Sequence, residues 1–418
     1  MKVSDHMLHI HVSEIQDATV NVCEFARRSV EEHNMHVRQT DGVTSAFGVK
    51  KDCIFHSYLQ DFHVTKSLLP DLSHDLLEGL VPTHMALCLK VFISKKYFDL
   101  KWLTDVIRTF PYKFSDAVNK PQRIPDNFAA SGTIGGNATE NWTLLRLLPL
   151  LIGSKVPRDD RTWDWLMDLK DIVELCFSPV ISEHGLDYLA SKLTDYKHAF
   201  KCLFPDTNFK PKHHFVEHYP DLIRQFGPLC NMWTMRFESK HGYFKRVLQE
   251  SHCFKNMLMT MAEKHQLLIA YHLSAPTYFT PDNFVPESPE VAVSVLSEEC
   301  QQAILKVADS AVSVAIANFV KVSGTKYCPG MVVVTGHECG LPVFAEIMNV
   351  ILVLGKIFLL VMNTNSWYCE HIRGYILHQS GKVTMIEPAD LYDYYPLVPY
   401  EYDEETCVML KHFIEQHW

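Results

Sequence analysis

"LLPDLSHDLLEGLVP", residues 68–82, carries Asp71, His74, Asp75 and Glu78 at offsets of zero, three, four and seven. On an α-helix those offsets share one face, so three carboxylates and an imidazole would gather on one side while Leu72, Leu76 and Leu80 point to the other. Such a face is either a solvated surface or a metal site. The surface reading makes this a helix start, with Pro70 ahead of an acidic first turn that complements the helix dipole and Asp71 or Ser73 as the cap. It accounts for Asp71 and Asp75 and leaves His74 without a role.

The surrounding chain is 418 residues long, 47% hydrophobic and 21% charged, the composition of a globular protein with more than one core. A net charge of −10 excludes a general polyanion-binding field, so any nucleic-acid contact has to come from a local basic patch. The 12 cysteines, scattered from Cys23 to Cys407 without a C-x-x-C pair or a leading signal peptide, are expected to be reduced and the protein intracellular. The N-x-T matches at Asn137 and Asn141 then carry little weight. The most apolar stretch, "IMNVILVLGKIFLLVMN" (347–363), is too short for a comfortable membrane span and holds Lys356 at its centre. It reads as two β-strands joined at Gly355-Lys356, and no membrane association is expected.

Along the chain an α-rich front gives way to a β-rich tail. "SEIQ" (13–16) has capping-box spacing, and "NVCEFARRSVEEHNMHVRQ" after it is helix-like but polar. Helical periodicity is firm in "TWDWLMDLKDIVELCF" (162–177) and "GLDYLASKLTDYKHAF" (185–200), where Leu186, Leu189, Leu193, Tyr196 and Phe200 line one side. The segment from about 274 to 295 looks like a linker, followed by one more helix-like stretch. Beyond 318 short β-like runs between Gly-containing turns suggest a small barrel or sandwich. The expected division is 1–66 helix and loop, 67–273 helical, 274–317 linker and helix, and 318–418 a small β-rich domain that folds independently.

Three further patches carry chemistry. "HHFVEH" (213–218) contains His214-x-x-Glu217-His218, the H-x-x-E-H pattern of inverted zinc peptidases. That motif needs an uninterrupted helix and a third ligand, and Pro211 and Pro220 are expected to break the one-turn imidazole geometry. In "NMWTMRFESKHGYFKRVL" (231–248), Glu238 on a helix lies among Arg236, Lys240, Lys245 and Arg246. These are either surface ion pairs or a metal-binding acid in a groove that holds phosphate backbone. "SGTIGGNATENW" (131–142) matches no nucleotide-binding loop and reads as a turn into a helix.

Together "PDLSHDLLEG", "NATENWTLLRLLP", "KHHFVEHYP" and "MWTMRFESKHGYFKRV" resemble the latter half of a CACTA (EnSpm)-type DDE transposase, over most of the chain from about residue 13 onward. The resemblance implies that Asp71 and His74 are the family's Asp-x-x-His signature and that Glu238 is its third catalytic acid. It also implies an α+β fold: a mainly helical remnant of an RNase H-like core with a helical insertion between Asp71 and Glu238, then a small β-barrel-like domain.

A transposase of this kind gathers three acids around two Mg²⁺ ions, and the resemblance would make Glu238 and Asp71 the Mg²⁺ ligands of this chain. The first two acids sit on strands upstream of the Asp-x-x-His signature, and the residues before Asp71 read as helix and loop. The chain is therefore expected to be an N-terminally truncated remnant, inactive as a Mg²⁺-dependent nuclease. Weak DNA binding through Arg236, Lys240, Lys245 and Arg246 would add the nucleus as a location. Two other readings stay open: a non-enzymatic module whose β-tail engages a protein or chromatin partner, and a zinc metallopeptidase built on 214–218.

Overall fold

In the computed structural model, which describes residues 28–40, 47–252, 255–275 and 283–415, the stretch 68–82 is helical but wound more loosely than an α-helix. After α1 (Val30–Gln39) and α2 (Val64–Ser67), residues Ser73–Leu80 form a π-helix that runs straight into α3 (Val81–Ser94). The Val81 N–H donates to the Leu76 carbonyl, five residues back. Pro82 has no N–H to give, and the Leu77 carbonyl five residues before it takes its hydrogen bond from Asn141 Nδ2 at 2.9 Å. An i→i+5 ladder puts more residues into each turn, so positions four apart no longer stack. The single polar face expected on an α-helix does not form. Asp75 turns inward and is 6% exposed, the Asp71 side chain is 10% exposed, and the side chains of His74 (47%) and Glu78 (39%) remain at the surface. Leu72, Leu76 and Leu80 are buried as expected, and Leu77 joins them. Asp71 rather than Ser73 caps the helix, accepting the His74 N–H at 3.0 Å.

The chain divides into two compact units, Met1–Thr234 and Met235–Trp418. The first continues with α4 (Leu100–Thr109), α5 (Phe114–Val118), α6 (Phe128–Ser131), α7 (Ala138–Ile152), α8 (Arg161–Cys176), α9 (Glu183–Leu203), α10 (Pro211–Glu217) and α11 (Tyr219–Phe226). Its described residues contain no strand. The helices expected at 162–177 and 185–200 are α8 and α9, and the five residues assigned to the inner face of α9 are all buried. The π-helix and α3 bury Leu76, Leu77, Met85, Leu89 and Phe92 against α7 and α8. Trp165 of α8 stacks on Tyr196 of α9 with ring centroids 4.6 Å apart and donates its indole N–H to the Tyr196 carbonyl. The capping box of α1 is Ser29 with Glu32, whereas the one expected at 13–16 lies outside the described residues. Ser73–Ser94 is, among the described helices, the one long and apolar enough to cross a membrane by length and composition alone. Most of it is buried within the unit, together with Asp75 and His84.

The second unit begins with α12 (Met235–Ser251) and α13 (Met257–Ser274), and then builds a curled antiparallel half-barrel. Its elements are β1 (Glu290–Ala292), α14 (Glu298–Val307), β2 (Ser313–Ala317), β3 (Val320–Val322), β4 (Thr325–Tyr327), β5 (Val332–Glu338), β6 (Leu341–Val353), β7 (Lys356–Cys369), β8 (Gly374–Ile386), β9 (Asp393–Leu397), β10 (Pro399–Tyr402) and β11 (Glu405–Val408). Strand order is β1-β2-β6-β7-β8-β11-β10, with β5 pairing both β6 and β9, and β3-β4 a separate hairpin. The hairpin expected at 347–363 is β6 and β7. Its turn is Leu354-Gly355, both at positive φ, so Lys356 is the first paired residue rather than part of the joint. The helix expected within 274–317 is α14, but from Glu290 the segment is no linker: β1 pairs β2 in the sheet, and Cys300, Ala303 and Ile304 of α14 share a core with Ile351, Phe358 and Leu360. The fold is α+β, a helical unit and an antiparallel half-barrel.

Candidate functional site

Asp71 is held from two directions. Oδ2 accepts from the His74 N–H (3.0 Å) and from the Thr234 hydroxyl (2.9 Å), and lies 2.5 Å from His74 Nδ1, while Oδ1 accepts from the Thr234 N–H at 2.7 Å. Burial alone would raise this carboxyl, but these hydrogen bonds outweigh it and hold it below the usual carboxylate value. The contact joins residues 163 positions apart. With Nδ1 on Asp71, the imidazole of His74 turns Nε2 toward Glu78 Oε2, 3.8 Å away.

Behind this surface pair Asp75 faces the interior. The Tyr219 phenol donates to Asp75 Oδ2 at 3.2 Å. Burial pushes the Asp75 carboxyl up to about 7, against the Lys212 charge and the Tyr219 hydrogen bond, with Asp71 adding to the rise. Lys212 Nζ donates to the His74 carbonyl at 2.5 Å. Gly79 makes room for it, because a Cβ there would lie 2.5 Å from Lys212 Cδ and 2.8 Å from the His74 carbonyl oxygen. On the other side Glu78 Oε1 accepts from the Ala138 N–H at 3.3 Å, next to the Asn141 bond to Leu77. The "SGTIGGNATENW" stretch is, as expected, a turn into a helix: Asn137 caps α7 in a capping box with Glu140.

Chemically this is an oriented Asp–His pair with Glu78 beside it at the surface. A carboxylate has about four acceptor positions, and Asp71 has four donors on them. It therefore fits a fastener and not a Mg²⁺ ligand, and Asp75 is buried against Tyr219. This set does not fit the Mg²⁺ role that the resemblance implies for Asp71.

The H-x-x-E-H segment departs from expectation. Pro211 and Pro220 occupy the first turns of α10 and α11, where proline is tolerated, and do not break the pairing. His214 and His218 face each other with Nε2 atoms 3.2 Å apart. The residue that would serve as general base, Glu217, is instead ion-paired to Lys197 at 2.6 Å. His213 turns inward, its Nε2 2.9 Å from Nε2 of His84, whose Nδ1 is 2.7 Å from the Tyr196 phenol. Burial pushes His213 down to about 4 and His84 well below the ordinary value.

Glu238, Lys240, Lys245 and Arg246 are exposed on α12, in the second unit. At 100° per residue the positions of Arg236 and Lys240 are about 40° apart, while Lys245 and Arg246 lie about 140° and about 240° around from Lys240. The four cationic positions encircle the helix.

Sequence reasoning missed His33, His56 and His63, each of which brings one ring nitrogen within 4.8 Å of the other two. Burial and the neighbouring His63 charge push His33 down to about 4. No family model, curated protein or solved structure matches the chain.

Proposed function

We propose that the chain is derived from a CACTA-type DDE transposase and works as a DNA-contacting protein that does not cut DNA. One observation supports this reading: the four segments that carry the resemblance meet on the π-helix. Asp71 to Leu77 belong to the first segment. Asn141 of the second bonds Leu77, Lys212 and Tyr219 of the third bond His74 and Asp75, and Thr234 of the fourth bonds Asp71. Segments scattered over the sequence and sharing one polar hub form a unit of descent more readily than a chance set of motifs. On this reading α7 to α9 are the helical insertion of an RNase H-like core.

Strand transfer by two metal ions requires several carboxylates with free oxygen ligands. The described residues before Thr234 hold no strand to carry the two upstream acids, and the Asp71 oxygens are engaged. The cations of α12 supply sequence-independent phosphate contact. The test is incubation of the purified chain with supercoiled plasmid and Mg²⁺ or Mn²⁺. Intact plasmid is the expected result, and metal-dependent nicking that disappears in Glu238→Gln would overturn it.

A second reading gives the half-barrel a protein partner. It draws on Trp367, Tyr394 and Tyr395, which stand exposed on that unit and are of the residue types that anchor interfaces. Loss of a partner from pull-downs with Trp367→Ala, DNA affinity being unchanged, would favour it.

A further inference from the structure

The described residues ahead of the π-helix have almost no apolar core. Within 28–40 and 47–67 only His33 and Val49 are buried, so the one fully enclosed side chain of α1 is an imidazole. Around it stand His56, from the 3₁₀ turn Ile54–Ser57, and His63, the N-cap of α2. The rings of His56 and His63 stack at 4.5 Å, and His33 stands edge-on to both, at 5.8 and 5.2 Å.

We propose that His33, His56 and His63 form a transition-metal site, with Zn²⁺ the ion that a set of three imidazoles fits best. The hydrogen bonds decide which nitrogens are available. His63 Nδ1 is held by the Thr65 hydroxyl (2.8 Å) and the Thr65 N–H (3.3 Å), and His56 Nδ1 by Asp52 Oδ1 (2.7 Å). That leaves Nε2 on each, beside a buried His33 Nε2 that has no hydrogen-bond partner. A carboxylate behind a ligating imidazole fixes its tautomer and orientation, which is the place Asp52 occupies. On binding, the ion displaces the Val64 N–H from His56 Nε2 (3.2 Å) and Asn34 Oδ1 from His63 Nε2 (3.4 Å), and the His63 proton moves from Nε2 to Nδ1, which then donates to the Thr65 hydroxyl and gives up the Thr65 N–H (3.3 Å). Zn–N bonds of about 2.0–2.1 Å in a tetrahedron need nitrogens roughly 3.3 Å apart, and one ring nitrogen of each histidine already lies within 4.8 Å of the other two, so the rings have only a short way to close. Water takes the fourth position. A segment that buries so little apolar surface lacks the usual source of order, and an ion that ties α1, the 3₁₀ turn and α2 together supplies it.

The test uses the full chain, stripped with chelator, and Zn²⁺ alone as the probe. One ion per chain is expected to survive gel filtration. Affinity should fall about 100-fold or more in His33→Ala and in His63→Ala, and about 10-fold to 100-fold in Asp52→Asn. In His214→Ala it should stay as in the wild type. Should His33→Ala fail to fold, the wild-type chain decides by acylation of its histidines with diethylpyrocarbonate: Zn²⁺ is expected to protect His56 and His63 and to leave His218 as reactive as before. Absence of stoichiometric Zn²⁺ from the wild-type chain, binding that survives both alanine variants, or binding lost in His214→Ala would overturn the proposal.

Discussion

Replacing Asp75 by asparagine should stabilise the helical unit, and by an amount that depends on pH. The carboxyl is buried beneath the π-helix, and its pKa rises from 3.8 in the open chain to about 7 in the fold. A folded-state pKa above the unfolded value means that the native state holds a proton which the unfolded state has released. Stability from this group is therefore complete below about pH 4 and is lost as pH rises through about 7. A rise of roughly three units at about 1.4 kcal/mol each amounts to about 4 kcal/mol. Asparagine keeps the shape and stays neutral at every pH, so whatever the amide costs against Tyr219 is a constant offset. The stability of Asp75→Asn minus that of wild type should climb by about 4 kcal/mol between about pH 4 and pH 8. Urea unfolding followed by tryptophan fluorescence reads this directly, because Trp102, Trp142, Trp163, Trp165 and Trp233 lie in the same unit. A difference that stays flat, or that falls with pH as it would if Asp75 were a carboxylate paired with Lys212, refutes the assignment.

Two other perturbations act on the same unit. His213, pushed down to about 4 from 6.5 by burial, gives stability that is present above about pH 6.5 and lost as pH falls toward 4. His213→Gln should therefore remove about 3 kcal/mol of acid sensitivity, in the opposite sense to Asp75, and an unchanged acid limb in the unfolding curve would contradict it. Asp116 and Arg146 form an ion pair at 2.5 Å with both side chains buried, so Asp116→Ala strands a guanidinium and should cost about 3–5 kcal/mol. A loss under about 1 kcal/mol in the same assay would show that the pair is not buried in solution.

How much of this was legible in the sequence differs from element to element. The 3.6-residue periodicity marked α8 and α9 because each buries one stripe, and the apolar stretch 347–363 marked β6 and β7 because Gly355-Lys356 divides it into two runs. The opening stretch showed the limit of that method. The same spacing that puts Asp71, His74, Asp75 and Glu78 on one face of an α-helix separates them on a π-helix, and the winding depends on Pro82 and on side chains from Asn141 and Lys212 far along the chain. The bond from Asp71 to Thr234 was not visible as a contact, although the resemblance had put both residues in one set of motifs. Pro211 and Pro220 do confine the helix around the H-x-x-E-H segment to the seven residues of α10, as expected, but His214 and His218 face each other all the same across its end. His33, His56 and His63 carry no motif spacing and are lost among 23 histidines; what singles them out is that almost no apolar residue around them is buried, which only the structure shows.

Whether α12 contacts DNA is best settled by fluorescence anisotropy of a labelled duplex titrated with the full chain at two salt concentrations. If the neighbouring positions Arg236 and Lys240 meet phosphates together, two released counterions give a slope near −2, or about a tenfold loss of affinity between about 50 and 200 mM salt. Neutralising Arg236 and Lys240 to glutamine should abolish most of that binding, and neutralising Lys245 and Arg246, which lie around the helix, should weaken it less. Affinity that is independent of salt, or that is the same in both pairs of variants as in the wild-type chain, would contradict the proposal that this chain touches DNA through its cationic helix.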